Sequence, residues 1–377
     1  MKTLTRWNKQ TPKRSLIFCL SGLGLALIGS VRQAAAQAQP PLKLVQTIPV
    51  PQVTCENPDL HGQELVEAVN TFFMPRMTCH YDRFGLDLKG GRLFVVAENN
   101  KTVEVYAIPS GKLLHTIGGF GMLHNVICRS DVNRIYITDG STTEGSLRIF
   151  DGTTYQLIKT VRLLLDADSM GYDPATHYLY ITNGGRFGNL DYTMLSIINA
   201  DTDEHIGDIK TNFSRLEHMV MESSGPRIFL NITDRREIAV IDRNKRAIVA
   251  TWPVTEGQFN VASDLDEANH RLFVACRSGM LDVFDTETGK VVTALPLAKG
   301  VDDVVYDPER KRLYVTCAEG VLDVYEQRDP DHYVLIDKVP TGIMGKNCLL
   351  VSSLNRFYVG VPKYGNVESK ILVYRVQ

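Results

Sequence analysis

Six ionisable side chains, Asp82, His124, Asp168, Glu217, Asp302 and Lys346, follow one another at intervals of 42, 44, 49, 85 and 44 residues. The long gap holds Val261 at the same phase, so one position recurs seven times and is charged or ionisable in six. The next position carries Arg83, Asn125, Ser169, His218, Ala262, Asp303 and Asn347, and Asn260 lies one step earlier in the odd unit. Carboxylate and imidazole together suit a divalent cation. The candidate ligands are Asp82, His124, Asp168, Glu217, His218 and Asp302, donors that zinc, manganese or a harder ion accepts. A water on such an ion could hydrolyse an ester or lactone. The same ring could instead bind a polar small molecule without chemistry, Lys346 and Arg83 meeting an anionic group. The plain alternative is a wet mouth whose opposite charges pair with each other.

The elements that must position this ring are strands. Twelve residues after each ring position stands an aromatic: Phe94, Tyr136, Tyr180, Phe229, Phe273, Tyr314 and Tyr358. The stretch RLYVTCAEGVLDVY (312–325) shows the unit around it, an alternating strand, a tight turn at Gly320 and a second strand. That second strand recurs in phase as VEVY (103–106), LRIF (147–150), LSII (195–198), IAVI (238–241), LDVF (281–284), LDVY (322–325) and ILVY (371–374). An all-strand period of this length is the mark of a propeller blade. The fold class is therefore all-β: a seven-bladed β-propeller of four-stranded antiparallel blades over 41–377. KLVQTIPV (43–50) matches the last strand of the other units, and the chain stops at ILVYRVQ where a seventh such strand is due. The N-terminal strand is expected to complete the last blade, which removes the open sheet edges.

Residues 1–36 carry six Lys and Arg and no acid, then an uncharged run from Ser15 to Val31 and Ala34-Ala35-Ala36. This order predicts a signal peptide cleaved near Ala36 or Ala38, and a periplasmic or secreted protein. The remainder has 35 basic against 43 acidic side chains. That balance argues against nucleic-acid binding. No membrane span is expected in the mature form, and a monomer is expected. Residues 52–79 form an inserted cap, with a short amphipathic helix read from Leu65, Val66, Val69 and Phe73. Cys55 and Cys79 bracket it and could form a disulfide in an exported protein. Cys128, Cys276, Cys317 and Cys348 fall in strands and read as core. Long inter-strand loops at 140–146, 184–193 and 363–369 share the end of the blades where the ring lies.

LYIT (179–182), LYVT (313–316) and FYVG (357–360), each followed by a strand of the LDVY type, resemble the "YVTN" propeller repeat. The mature chain is similar to the YncE-like family of exported bacterial propellers. It is more distantly similar to the heavy chain of quinoprotein amine dehydrogenases and to the haem-d1 propeller of nitrite reductase. The resemblance implies the fold, and proteins that are enzymes, electron-transfer partners or plain binding modules. The chain has no C-x-x-C-H, no G-x-S-x-G elbow and no phosphate-binding Gly-rich loop before a helix. The leading expectation is a non-enzymatic binding or scaffold module. It would take a small molecule or protein partner on the face that carries the inner-strand starts, with no cofactor beyond a divalent metal. A metal-assisted hydrolase or lactonase and a redox-partner subunit of a quinoprotein-type system are the alternatives.

Overall fold

The seven anchor aromatics are all at most 3 % exposed. In the computed structural model, which describes residues 39–50, 81–141 and 143–377, each of them sits in a different apolar cluster between neighbouring blades. Phe273 packs with Val304 and Leu313 of the following blade, and Tyr358 with Tyr81 and Phe84 of the first. Burying one such ring stabilises the fold by about 2 kcal/mol or more, so the repeat places one strong contact at every blade junction. The expected signal segment (1–36), the cap (52–79) and the Cys55–Cys79 pair lie outside the described residues.

Pro40–Gln377 forms seven sheets of four strands, every neighbouring pair antiparallel. The innermost strands are Phe84–Asp87, Leu123–Arg129, Met170–Asp173, Leu216–Met221, Asn260–Asp266, Val301–Asp307 and Asn347–Val351. The N-terminal strand Leu42–Pro49 is the outermost strand of the last blade, beside Lys370–Val376. Leu42 stands opposite Val376 and Pro49 opposite Lys370. The last blade thus joins both ends of the chain and the ring closes.

Turn chemistry explains the spacing. Between third and fourth strands, Gly111 and Gly289 adopt φ of 71° and 68°. Tyr155, Asp203 and Arg246 accept the same left-handed region at 58°, 59° and 51°. The turn before Tyr155 is held by Asp151, whose Oδ1 accepts from the main-chain N–H of Thr153 and Thr154 at 2.9 and 2.8 Å.

A second polar repeat ties blade to blade on the opposite side from the ring. Two residues before the anchor, six of seven units carry Arg: 92, 134, 227, 271, 312 and 356. Most reach into the third-to-fourth turn of the next blade. Arg134 meets Asp203 at 3.2 Å, Arg227 meets Glu287 at 3.3 Å and Arg271 meets Asp331 at 2.7 Å. Cys276, Cys317 and Cys348 are buried free thiols and Cys128 is half-buried. Burial pushes the Cys128 thiol up to about 11 and the Cys348 thiol to about 12, so both pack as small apolar groups.

Candidate functional site

The ring residues fall where the inner strands leave regular pairing. Leu123 pairs with Asp139 and Val126 with Ile137, so His124 and Asn125 together face Thr138. Glu217 and His218 likewise face Asn231, while Val261 and Asp302 are each one residue too many for their partner strands. A bulge bends the strand and re-aims its side chains, here toward the channel.

Side chains from the second strands satisfy the main-chain groups that the bulges release. Thr138 Oγ1 accepts from Asn125 N at 3.0 Å and donates to the Asp168 carbonyl of the next blade at 2.8 Å. Thr182 accepts from Ser169 N at 3.0 Å, and Thr316 donates to the Lys346 carbonyl at 2.6 Å. In the fourth blade Asn231 takes this place and donates to the His218 carbonyl at 2.8 Å. The Thr of the repeat therefore fixes the backbone under the ring.

The ring divides into two unlike halves. In one half the charges are matched. Asp302 is ion-paired with Lys346 and Arg277, and Asn347 Nδ2 donates to it at 3.1 Å. The Lys346 side chain is only 2 % exposed. Arg83 pairs with Asp303, whose other oxygen accepts from Cys348 N at 2.8 Å. Arg215 Nε donates to Glu217 at 2.8 Å. His218 Nδ1 accepts from Ser263 N at 3.4 Å. Burial and the positive charge of Arg83 push its pKa down to about 3, so it stands as a neutral imidazole.

In the other half the charges are unmatched. His124 Nδ1 lies 3.0 Å from Asp82 Oδ2 and 4.0 Å from Asp168 Oδ1. One donor atom from each of the three lies within 4.8 Å of the others. Among the described residues no Lys or Arg is within ion-pair distance of Asp82 or Asp168. Burial by itself would depress His124, but Asp168 and Asp82 outweigh it and hold the imidazole well above its usual range. Burial raises Asp168 well above the usual carboxylate range; His124 opposes the rise, and Glu217, Asp82 and Asp166 add to it. In both shifts the acidic neighbours act in the same direction, toward holding positive charge in this half. The His124 Nε2 atom is buried with no hydrogen-bond partner among the described residues. It faces Gly140, where an added Cβ would come within 3.2 Å.

The remaining ring positions are structural in their contacts. Asn260 is fully buried and donates to Asn231 Oδ1 at 2.9 Å and to the Glu237 carbonyl at 3.1 Å. Asn125 Nδ2 donates to the Met170 carbonyl at 3.4 Å. Four charged residues of the mouth escaped the sequence reading. Asp166 and Arg215 both stand fourteen residues before their anchors, and Glu98 and Arg277 both stand four after. The usable signal was strand alternation: residues two before the ring position point to the same side, and the end of the second strand lies beside the start of the first.

One rim of the mouth is aromatic and basic. Phe187, in the 184–193 loop, is 50 % exposed. Its ring lies 5.2 Å from the Arg186 guanidinium and 4.9 Å from that of Arg215. Asp166 feels the charge of both arginines, which places this rim beside the acidic half.

No protein-family model matches the chain, and no curated protein matches it in sequence. Solved structures match it in shape. A chain of the mitotic checkpoint complex has a TM-score of 0.67 at 11% identity, over 97% of this chain and 99% of that one. Hydrazine synthase of Kuenenia stuttgartiensis gives 0.65 at 15% identity, over 78% and 96%. The U3-55K structure gives 0.66 at 10% identity, over 78% and 95%. At these identities the likeness is one of fold. Among the described residues no helix is long and apolar enough to cross a membrane.

Proposed function

We propose that this chain is an exported binding propeller. It takes a small polar ligand at the channel mouth, with the ligand's cationic part against Asp82, His124 and Asp168 and its body against the Phe187 rim. The observation that supports the reading is the division of the ring. A mouth shaped for stability alone would match its charges throughout, as the Asp302–Lys346–Arg277 side does. The Asp82–His124–Asp168 side keeps two carboxylates on one imidazole, with no Lys or Arg among the described residues within ion-pair distance of either carboxylate. Unmatched charge in a half-buried site costs stability and is retained where a partner supplies the missing counter-charge. Export is supported by the basic, apolar, small-residue order of residues 1–36 and by the likeness of the repeat to exported propellers.

The test is a charge-removing variant of the ligand-free protein. Asp168→Asn keeps the shape and relieves the repulsion, so it should raise the melting temperature after exhaustive dialysis against chelator. The expected gain is about 1–2 kcal/mol, a few degrees for a domain of this size. A lower melting temperature would show that Asp168 serves the fold and would overturn the reading.

A further inference from the structure

We propose that Asp82, His124 and Asp168 form a metal site for one divalent ion of the zinc or manganese class. The ligands are His124 Nδ1 and one oxygen from each carboxylate. The inference deepens the ligand reading above and rests on it: the ion supplies the positive charge that reading places against these three residues, and the bound molecule meets the ion.

Three observations carry it. First, the donor atoms are already close to the required spacing. Ligand atoms about 2.1 Å from a tetrahedral zinc lie about 3.4 Å from each other. The Nδ1 atom stands 3.0 Å from Asp82 and 4.0 Å from Asp168. One donor atom from each of the three residues lies within 4.8 Å of the other two. Second, the charge balances: the ion displaces the proton from His124 Nδ1 into solvent, and two carboxylates and a neutral imidazole then cancel a divalent ion. No Lys or Arg among the described residues competes within ion-pair distance of either carboxylate. Third, the three residues come from three successive blades: His124 lies within Leu123–Arg129, while Asp82 and Asp168 stand two residues before Phe84–Asp87 and Met170–Asp173, each tied by its main-chain N–H to a second strand, to Val96 O at 3.1 Å and to Thr182 O at 3.0 Å. The bulge at His124 and the Thr138 bond beneath Asp168 set two of the three backbones.

The donor set chooses the ion. An imidazole nitrogen disfavours calcium and magnesium, and the absence of thiolate among the three disfavours soft ions. Three protein ligands leave at least one position for water or a donor of the bound molecule, as open sites do. His218, Glu217 and Asp302 are held by Ser263, by Arg215, and by Lys346 with Arg277. They are therefore not part of the ligand set.

The experiment uses the full exported chain, stripped with chelator and titrated with zinc chloride and manganese chloride by calorimetry, with native mass spectrometry for stoichiometry. One ion per chain is expected. Affinity should fall at least a hundredfold in His124→Ala and in Asp168→Asn, and less than threefold in Asp302→Asn. Circular dichroism melts confirm that each variant is folded, and Asp82→Asn stands in for any that is not. No stoichiometric ion, or an ion retained in both the His124 and Asp168 variants, overturns the metal site. If no ion binds while stripped Asp168→Asn is still stabilised, the metal inference fails and the ligand reading stands. If stripped Asp168→Asn is destabilised, both fail.

Discussion

The hydroxyl of Thr138, in the second blade, donates to the main-chain oxygen of Asp168, in the third, at 2.8 Å. A residue conspicuous in sequence as part of the repeat is thus the support under a residue of the mouth. The same hydroxyl accepts from Asn125 N beside His124. One side chain therefore orders the backbone of two of the three residues that crowd the acidic half.

Replacing it isosterically separates support from packing. Thr138→Val leaves Asn125 N and the Asp168 carbonyl buried and unpaired, at a cost of about 1–3 kcal/mol. Thr316→Val removes the equivalent bond to the Lys346 carbonyl and should cost a similar amount. Only the first variant should also weaken zinc binding several-fold. Urea melts and metal titration of the two proteins side by side check both statements.

Lys346 carries a different kind of prediction. Its ammonium is buried against Asp302, which Arg277 and Asn347 also hold. Lys346→Met should destabilise by about 2–3 kcal/mol, near the lower end for a broken buried pair because Asp302 keeps other partners. Metal affinity should be unchanged. The chemical-denaturation midpoint is the readout.

Acid should weaken the fold through two identifiable groups. Burial would raise Glu267, but hydrogen bonds from Ser224 and Ser223 hold it down at about 2. Its folded value lies below its unfolded one. Its stabilisation is therefore complete above the ordinary carboxylate range and is lost as pH falls toward 2. Burial and Arg83 hold His218 near 3, so stability falls from about pH 6.5 downward as the unfolded chain alone takes up the proton. The pH profile of the melting temperature should flatten between about 6.5 and 4.5 in His218→Gln, and below that in Glu267→Gln. Nitrogen-15 shifts should report a neutral His218 ring at pH 5.

Closure of the ring can be tested by removing its last strand. Deleting residues 40–50 strips Leu42–Pro49 from Lys370–Val376 and leaves that strand as an open edge. The variant should aggregate or lose its cooperative melt. A synthetic peptide of residues 41–50 added in trans should restore solubility, and light scattering follows both outcomes.

The fold was legible because its causes are local and repeated. An anchor such as Tyr314 is set by strand alternation, and a strand of the LDVY type follows its anchor by 8 to 15 residues in all seven units. Strand pairing of the two chain ends was legible for the same reason: KLVQTIPV has the pattern of the other outer strands. The ring was legible as a set of positions, since inner-strand starts must crowd the axis. Which members pair was not. Asp302 and Asp168 occupy one column, yet the Asp302 carboxylate meets Lys346 and Arg277, while among the described residues the Asp168 carboxylate is ion-paired with His124 alone. That outcome depends on neighbours in adjacent blades and on Arg277, which lies in another column. The Arg column beginning at Arg92 was open to the same alignment and was missed because its role, a bond to the next blade's turn, is non-local.

The most direct measurement is a crystal structure of the chain purified without chelator, read at the mouth of the channel. A metal ion or the cationic part of a ligand is expected, bonded to His124 Nδ1 and to the carboxylates of Asp82 and Asp168. A mouth filled with water alone, with His124 doubly ion-paired to Asp82 and Asp168, would contradict it.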